Sequence, residues 1–230
     1  MIDVPDTLIE QSSLSSQIAD SAAAVGIRLE QDQIVLFLAY LDTINIWNEK
    51  INLVSIKSPL DIPIKHFIDS LIPLQFLPSL SANLLDIGSG GGFPGIPLKI
   101  ASPSLRVTLM ESSRKRSSFL KHAIRTLRLG NIEVVNRRVE SCLNMDAYRQ
   151  HFDVVISRAV FKLSELIAYA GGFLNDHGFL IAMKGPEIRE ELKDAEPARV
   201  SASLAFVASH DFRLPITGDP RKIIIYKKQS

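Results

Sequence analysis

The chain has a single cysteine, Cys142, one tryptophan and five histidines among 230 residues. One thiol cannot build a disulfide framework, and a cysteine-rich zinc module is excluded with it. His66, His122, His151, His177 and His210 show no metal-ligand spacing, so no metal is expected. No uncharged apolar run approaches the roughly 18–20 residues of a membrane helix. The opening MIDVPDTLIEQ is acidic, where a secretory signal carries positive charge before an apolar core. Internal repeats are absent, and the only biased stretch is a Ser/Ala-rich opening. What remains is an ordinary globular mixture, 46% hydrophobic and 22% charged, long enough to bury a core without staples. A soluble, cytoplasmic monomer is the expectation.

The net charge is only +1, but it is unevenly placed. Residues 1–70 hold four Lys+Arg against ten Asp+Glu, whereas Arg106 to Arg138 holds nine against Glu111 and Glu133. One basic face on a nearly neutral chain suits a localised polyanion contact; a merely solvated basic helix is the alternative.

From Gln31 to Asn48, Ile34, Leu38, Leu41 and Ile44 recur at helical spacing, with Val35, Phe37 and Trp47 widening the stripe. A second helix is expected over about Leu60 to Leu71, with Ile64, Phe67, Ile68 and Leu71 on one side. Residues 1–78 read as a helical cap closed by Pro73 and Pro78, and residues 79–230 as a second unit. In the second unit, short apolar runs at Leu84–Ile87, Val107–Met110, Ile132–Val135, Val154–Ile156 and Phe179–Met183 alternate with helical segments. That order predicts a doubly wound, mostly parallel α/β sheet of Rossmann-like type, covered on both faces. Ala205–Ala208 and Ile223–Tyr226, separated by the Gly218–Pro220 turn, predict an antiparallel hairpin on its edge.

The first strand runs into DIGSGGGFPGIPL. Gly88, Gly90 and Gly92 permit a tight turn and close backbone approach to a ligand, and a helix from about Pro94–Gly95 would follow. Glu111 ends the next strand 23 residues beyond Gly88, at the spacing of a carboxylate that accepts from ribose hydroxyls. NAD and S-adenosylmethionine both fit this geometry. Asp86 stands two residues before the first glycine, where it would repel a pyrophosphate and attract a sulfonium or ammonium group, which favours S-adenosylmethionine. Simple capping of the glycine turn is the other role open to Asp86.

With WNEKINLVS, HFIDS, NRRVE, FDVVISRAV, the Lys184–Gly185 step and GDPRKIIIY, the glycine loop makes the chain resemble the glucose-inhibited division protein B family. These are the small-subunit ribosomal RNA guanine-N(7) methyltransferases, and the resemblance spans about Gly26 to Lys228. It implies a methyltransferase using S-adenosylmethionine on 16S ribosomal RNA or the small ribosomal subunit. It also implies that Gly88 and Phe93 line the donor site, Val139 and Glu140 meet the adenine, and Arg158 meets the far end of the donor. From the residues alone, Phe93 packs on the donor or braces the loop, and Glu140 accepts from the adenine amine or caps a turn. The Arg158 fork suits a carboxylate or an RNA phosphate.

Guanine N(7) carries a lone pair and no proton, so its methylation needs no general base, and no catalytic acid or base is assigned. Cys142 lacks the context of a pyrimidine-methylating nucleophile and reads as buried packing. In HFIDS, a structural hydrogen-bonded pair of His66 with Asp69 under the glycine loop is expected, a base role for His66 being the other option. Between Arg114 and Leu129, residues Phe119, Leu120, Ala123, Ile124 and Leu127 predict a buried helix face. Arg114, Lys121, Arg125 and Arg128 then lie opposite as an RNA-binding row, with Arg221 and Lys227–Lys228 extending it. A non-enzymatic RNA-binding or cofactor-sensing module and a small-molecule methyltransferase remain alternative functions.

Overall fold

The computed structural model describes residues 6–230, with side chains from Ser12 onward. Two helices, α1 (Asp6–Ala24) and α2 (Gln31–Asn48), lead the chain. Glu30 and Gln33 form a capping box at the start of α2, where the Glu30 backbone amide donates to the Gln33 side-chain Oε1 at 2.9 Å. The buried stripe of α2 is Ile34, Phe37, Tyr40, Leu41 and Ile44. It is therefore rotated from the expected one: Leu38 is half-buried and Val35 faces outward, 54% exposed. Next comes a helical run, α3, of π-type over Asp61–Ile68, α-type over Asp69–Leu71 and 3-10 type over Ile72–Phe76. Its Ile64, Phe67, Ile68 and Leu71 are fully buried.

The sheet strands are β1 (Asn83–Ile87), β2 (Arg106–Met110), β3 (Ile132–Val135), β4 (Phe152–Arg158), β5 (Leu174–Lys184), β6 (Leu204–Arg213) and β7 (Pro220–Lys228). Their order is β3-β2-β1-β4-β5-β7-β6. The first five are parallel, and β7 joins β5 and β6 antiparallel, as the hairpin reading expects. Short βα and αβ connections force the crossovers α4 (Gly95–Ala101), α5 (Arg114–Thr126) and α6 (Leu163–Phe173) onto the faces of the sheet. Two short helices, α7 (Arg189–Asp194) and α8 (Glu196–Ser201), precede the hairpin.

The apolar side chains form two clusters, one on each face. The larger joins the helices before β1 to α4, α5 and one side of the sheet, so Phe37, Phe67, Leu84, Ile156 and Ile223 share one core. The smaller buries α6 to α8 together with Cys142 on the other side. No helix among the described residues is long and apolar enough to cross a membrane. Strand order reverses between β1 and β4, and the crevice beyond the carboxyl ends of those strands is where open α/β sheets bind ligands.

Candidate active site at the switch point

The glycine loop after β1 satisfies itself. Gly88 and Ser89 amides donate to Met110 O, and Gly92 and Phe93 amides donate to Ser89 O. The Gly90 amide donates to Glu111 Oε2 at 2.9 Å, and the Gly95 amide to Asp86 Oδ2 at 3.0 Å. A phosphate-binding loop leaves such amides directed at its ligand. Here two carboxylate and four carbonyl bonds already occupy them, which suits a ligand that brings no phosphate to the loop.

Asp86 is completely buried, so it lies beneath the loop as a cap and not on a pocket wall. Burial raises its carboxyl to about 7, against the opposing hydrogen bond from the Gly95 amide. The capping role thus replaces direct contact with a ligand. The cap helix α2 holds the loop from the other side: the Tyr40 hydroxyl donates to Gly91 O, and a side chain at Gly92 would strike that hydroxyl. Gly88 has φ +74°, and a Cβ there would lie 3.0 Å from Val160 Cγ1, so both backbone and space demand glycine.

Two cavities adjoin the loop that follows β4. A smaller one, about 250 Å³, is walled by Gly88, Glu111, Val139, Glu140, Val160 and Phe161, with Arg116, Arg137 and Arg138 around it. Four residues expected at a donor site therefore meet there. Glu111 holds the mouth through Gly90 and, by its other oxygen, the Ser113 amide at 2.8 Å. The Glu140 carboxyl is held below the ordinary range by its own backbone amide first and then by the Tyr169 hydroxyl, which donates to it at 2.8 Å.

A larger cleft, about 570 Å³, opens on the far side of the same loop. Lys57, Lys65, Lys184, Arg221 and Lys222 line it with Arg158, His66, Asp61 and Asp69. Arg158 is fixed from three directions. Its Nη1 donates to Lys65 O at 3.1 Å and Asp69 Oδ2 at 3.3 Å, its Nη2 to His66 Nδ1 at 2.9 Å, and its guanidinium lies over Phe93 at 5.0 Å. Phe93 is 4% exposed and stacks on His66, which makes it a brace for this cluster.

Three expectations need correction. His66 does not pair with Asp69: Asp69 Oδ2 accepts from Arg158 and Arg221, and His66 pairs with Arg158 instead. Arg221 does not extend the α5 row. It sits on β7, five strand positions from β3, or about 24 Å at ~4.8 Å per strand, facing the larger cleft and bound to Asp69. Lys228 turns inward, donating to Gly171 O and Leu174 O at 2.8 Å, because those carbonyls at the end of α6 lack helical partners. Arg114, Lys121 and Arg125 are exposed along α5 as expected, but Arg128 lies in the turn beyond its end at φ +51°, and the row runs about 20 Å away from the site toward the opposite end of the sheet. Sequence reading missed Lys57, Lys65, Lys222, Tyr40 and Val160. Lys222 lies inside GDPRKIIIY, Val160 ends FDVVISRAV and Lys65 directly precedes HFIDS, so those three stood at motifs that could have flagged them.

The family model described as rRNA small subunit methyltransferase G matches residues 33–213. A protein of Syntrophus aciditrophicus named "Ribosomal RNA small subunit methyltransferase G" is 42% identical over 210 residues, 91% of this chain and 87% of that one. Another of that name from Desulforamulus reducens is 38% identical, covering 94% and 91%. Among solved structures, M. jannaschii TYW2 in complex with AdoMet superposes with TM-score 0.54 at 15% identity, over 70% of this chain and 74% of that chain. Precorrin-6y C5,15-methyltransferase from Geobacter metallireducens gives 0.51 at 16% identity, over 70% and 87%. At those identities the structures speak to the fold alone.

Proposed function

This chain belongs to the rRNA small subunit methyltransferase G family, and on that premise we propose that it transfers a methyl group from S-adenosylmethionine to guanine N(7) in 16S ribosomal RNA. The observation that carries the choice of donor is the glycine loop whose amides are taken up internally, which suits a phosphate-free nucleoside. Gly88, Glu111, Val139 and Glu140 would hold that nucleoside in the smaller cavity, with Glu111 beside the ribose. Bound there, S-adenosylmethionine supplies a methyl group on a positively charged sulfur. Gly90 and Phe93 serve by shaping the loop. Arg158, set where the β4 loop divides the two cavities, keeps Nε–H and one Nη2–H without a partner among the described residues, enough for an incoming carboxylate or phosphate.

The larger cleft would take the target nucleotide, with Lys57, Lys65 and Lys222 at its rim meeting RNA phosphates and the α5 row adding a more distant contact. Nothing in the cleft needs to take a proton from N(7). The chain's residues exclude water, orient the base and hold charge, which is the kind of acceleration positioning provides. Work on ribosomal RNA as a cytoplasmic monomer, without a resident metal, completes the reading.

The test is incubation with S-adenosylmethionine and small-subunit ribosomal RNA, free and assembled, followed by mass-spectrometric location of the methyl group. N(7)-methylguanine at one position is expected. Methyl transfer to an exocyclic amine, or to a small molecule alone, would overturn the assignment.

A further inference from the structure

His66 is held in one tautomer. An arginine can only donate, so Nδ1, which meets Arg158 Nη2 at 2.9 Å, must be the unprotonated nitrogen, and the ring proton sits on Nε2. Phe93 lies against the ring, centroids 5.0 Å apart and planes 25° from parallel, which fixes the direction of that N–H. His66 lines the larger cleft. Its Nε2 has no partner among the described residues, yet it is not one of the sealed side-chain atoms left unbonded, which are Ser70 Oγ and Asp86 Oδ1. It therefore opens to the cleft as a fixed donor. Burial, reinforced by the Arg158 charge, lowers the His66 pKa to about 3, so the ring is neutral at physiological pH.

The Hoogsteen edge of guanine offers two acceptors, N7 and O6; that of adenine offers N7 and an amino donor. Resting on the function proposed above, we infer that the Nε2–H of His66 donates to O6 of the target base and so selects guanine over adenine. Adenine would bring its amine against this N–H, donor against donor, and the ring cannot turn acceptor without abandoning Arg158. Neutrality matters as much as direction. Positive charge develops on the purine as N7 gains its methyl, and an imidazolium here would repel it. The contact reads the base and does not itself speed the transfer, so His66 is a specificity-determining residue.

The experiment uses small-subunit ribosomal RNA carrying guanine, inosine or 2,6-diaminopurine at the target position, free and reconstituted. All three keep N7, but 2,6-diaminopurine replaces O6 with an amine. With the unaltered enzyme, guanine and inosine should give kcat/KM within a few-fold of each other, and 2,6-diaminopurine about 100-fold less, as expected when a buried donor is left opposed. In His66→Ala, kcat/KM on guanine should fall through KM, and the preference over 2,6-diaminopurine should collapse to about threefold. His66→Gln, whose amide can both accept from Arg158 and donate, should restore part of it. Equal rates on guanine and 2,6-diaminopurine by the unaltered enzyme, or a full preference persisting in His66→Ala, would overturn the inference while leaving guanine N(7) transfer standing. Absence of methyl transfer to any guanine N7 by the unaltered enzyme would instead remove the underlying function.

Discussion

The Gly95 amide donates to Asp86 Oδ2 at 3.0 Å, so the positive end of α4 is met by a carboxylate of this chain and not by a ligand. The other oxygen, Oδ1, has no hydrogen-bond partner although it is fully buried. Such an arrangement favours the protonated acid, whose hydroxyl needs less solvation than an anion.

Asp86 therefore makes stability fall with pH. Its carboxyl titrates near 7 in the fold and near 3.8 when unfolded. Between those values the native state holds a proton that the unfolded chain has released, so its contribution is complete below about pH 4 and is lost as pH rises through 7. The slope from this group approaches at most about 1.4 kcal/mol per pH unit. Tyr40, Arg158 and Glu111 share its surroundings. Thermal melts from pH 5 to 8 should slope downward in the parent protein and be flatter in Asp86→Asn; parallel slopes would reject the assignment.

Gly88→Val should abolish donor binding. The substitution places a branched side chain at φ +74° and drives it into Val160, with about 1–2 kcal/mol lost to the left-handed backbone alone. Adding Val160→Ala should relieve the collision but not the backbone strain, so calorimetry should show only partial recovery. Normal affinity in Gly88→Val would mean the loop does not face the donor.

Glu191 clamps the loop between the two cavities. Its Oε1 accepts from Leu163 N at 2.7 Å and Lys184 Nζ at 2.6 Å, while Lys184 also donates to Phe161 O at 2.6 Å. Glu191→Gln leaves a nearly buried ammonium without its counter-charge and weakens two charge-assisted bonds. A loss of about 1–3 kcal/mol in unfolding free energy is expected by denaturant titration, together with a lower kcat. An unchanged midpoint would show that the loop is held by other contacts.

Lys57→Ala with Lys222→Ala should weaken RNA binding more than Arg125→Ala with Arg128→Ala, because the first pair lines the larger cleft and the second lies in the last turn of α5 and the turn beyond it. Each phosphate contact removed should flatten the dependence of log K on log salt by about 0.7–0.9. The reverse ranking would return the RNA surface to α5.

Much of this was legible in order and period. Continuous apolar runs fixed five parallel strands because a strand buried on both faces has no polar side to show. Helical spacing located α2 and α5 because their cores bind one stripe. Gly88, Glu111, Val139 and Glu140, expected together from strand ends and family motifs, do line one cavity, since loops at the carboxyl edge of such a sheet converge. Partnerships were less readable. Asp69 stands one turn after His66 along the chain, yet the π-type and α-type turns around it direct its carboxylate to Arg158 and Arg221, which arrive 89 and 152 residues later.

The chain alone determined the layers, the hairpin and where the tight glycine turn after the first strand would stand, since these follow from local period and from a left-handed backbone at Gly88 that favours glycine. Only the folded molecule decided where the charges point. Arg221 enters the cleft while Lys228 turns to bare carbonyls, and Asp86 caps a helix without reaching the surface, because each answers to groups brought near by distant strands.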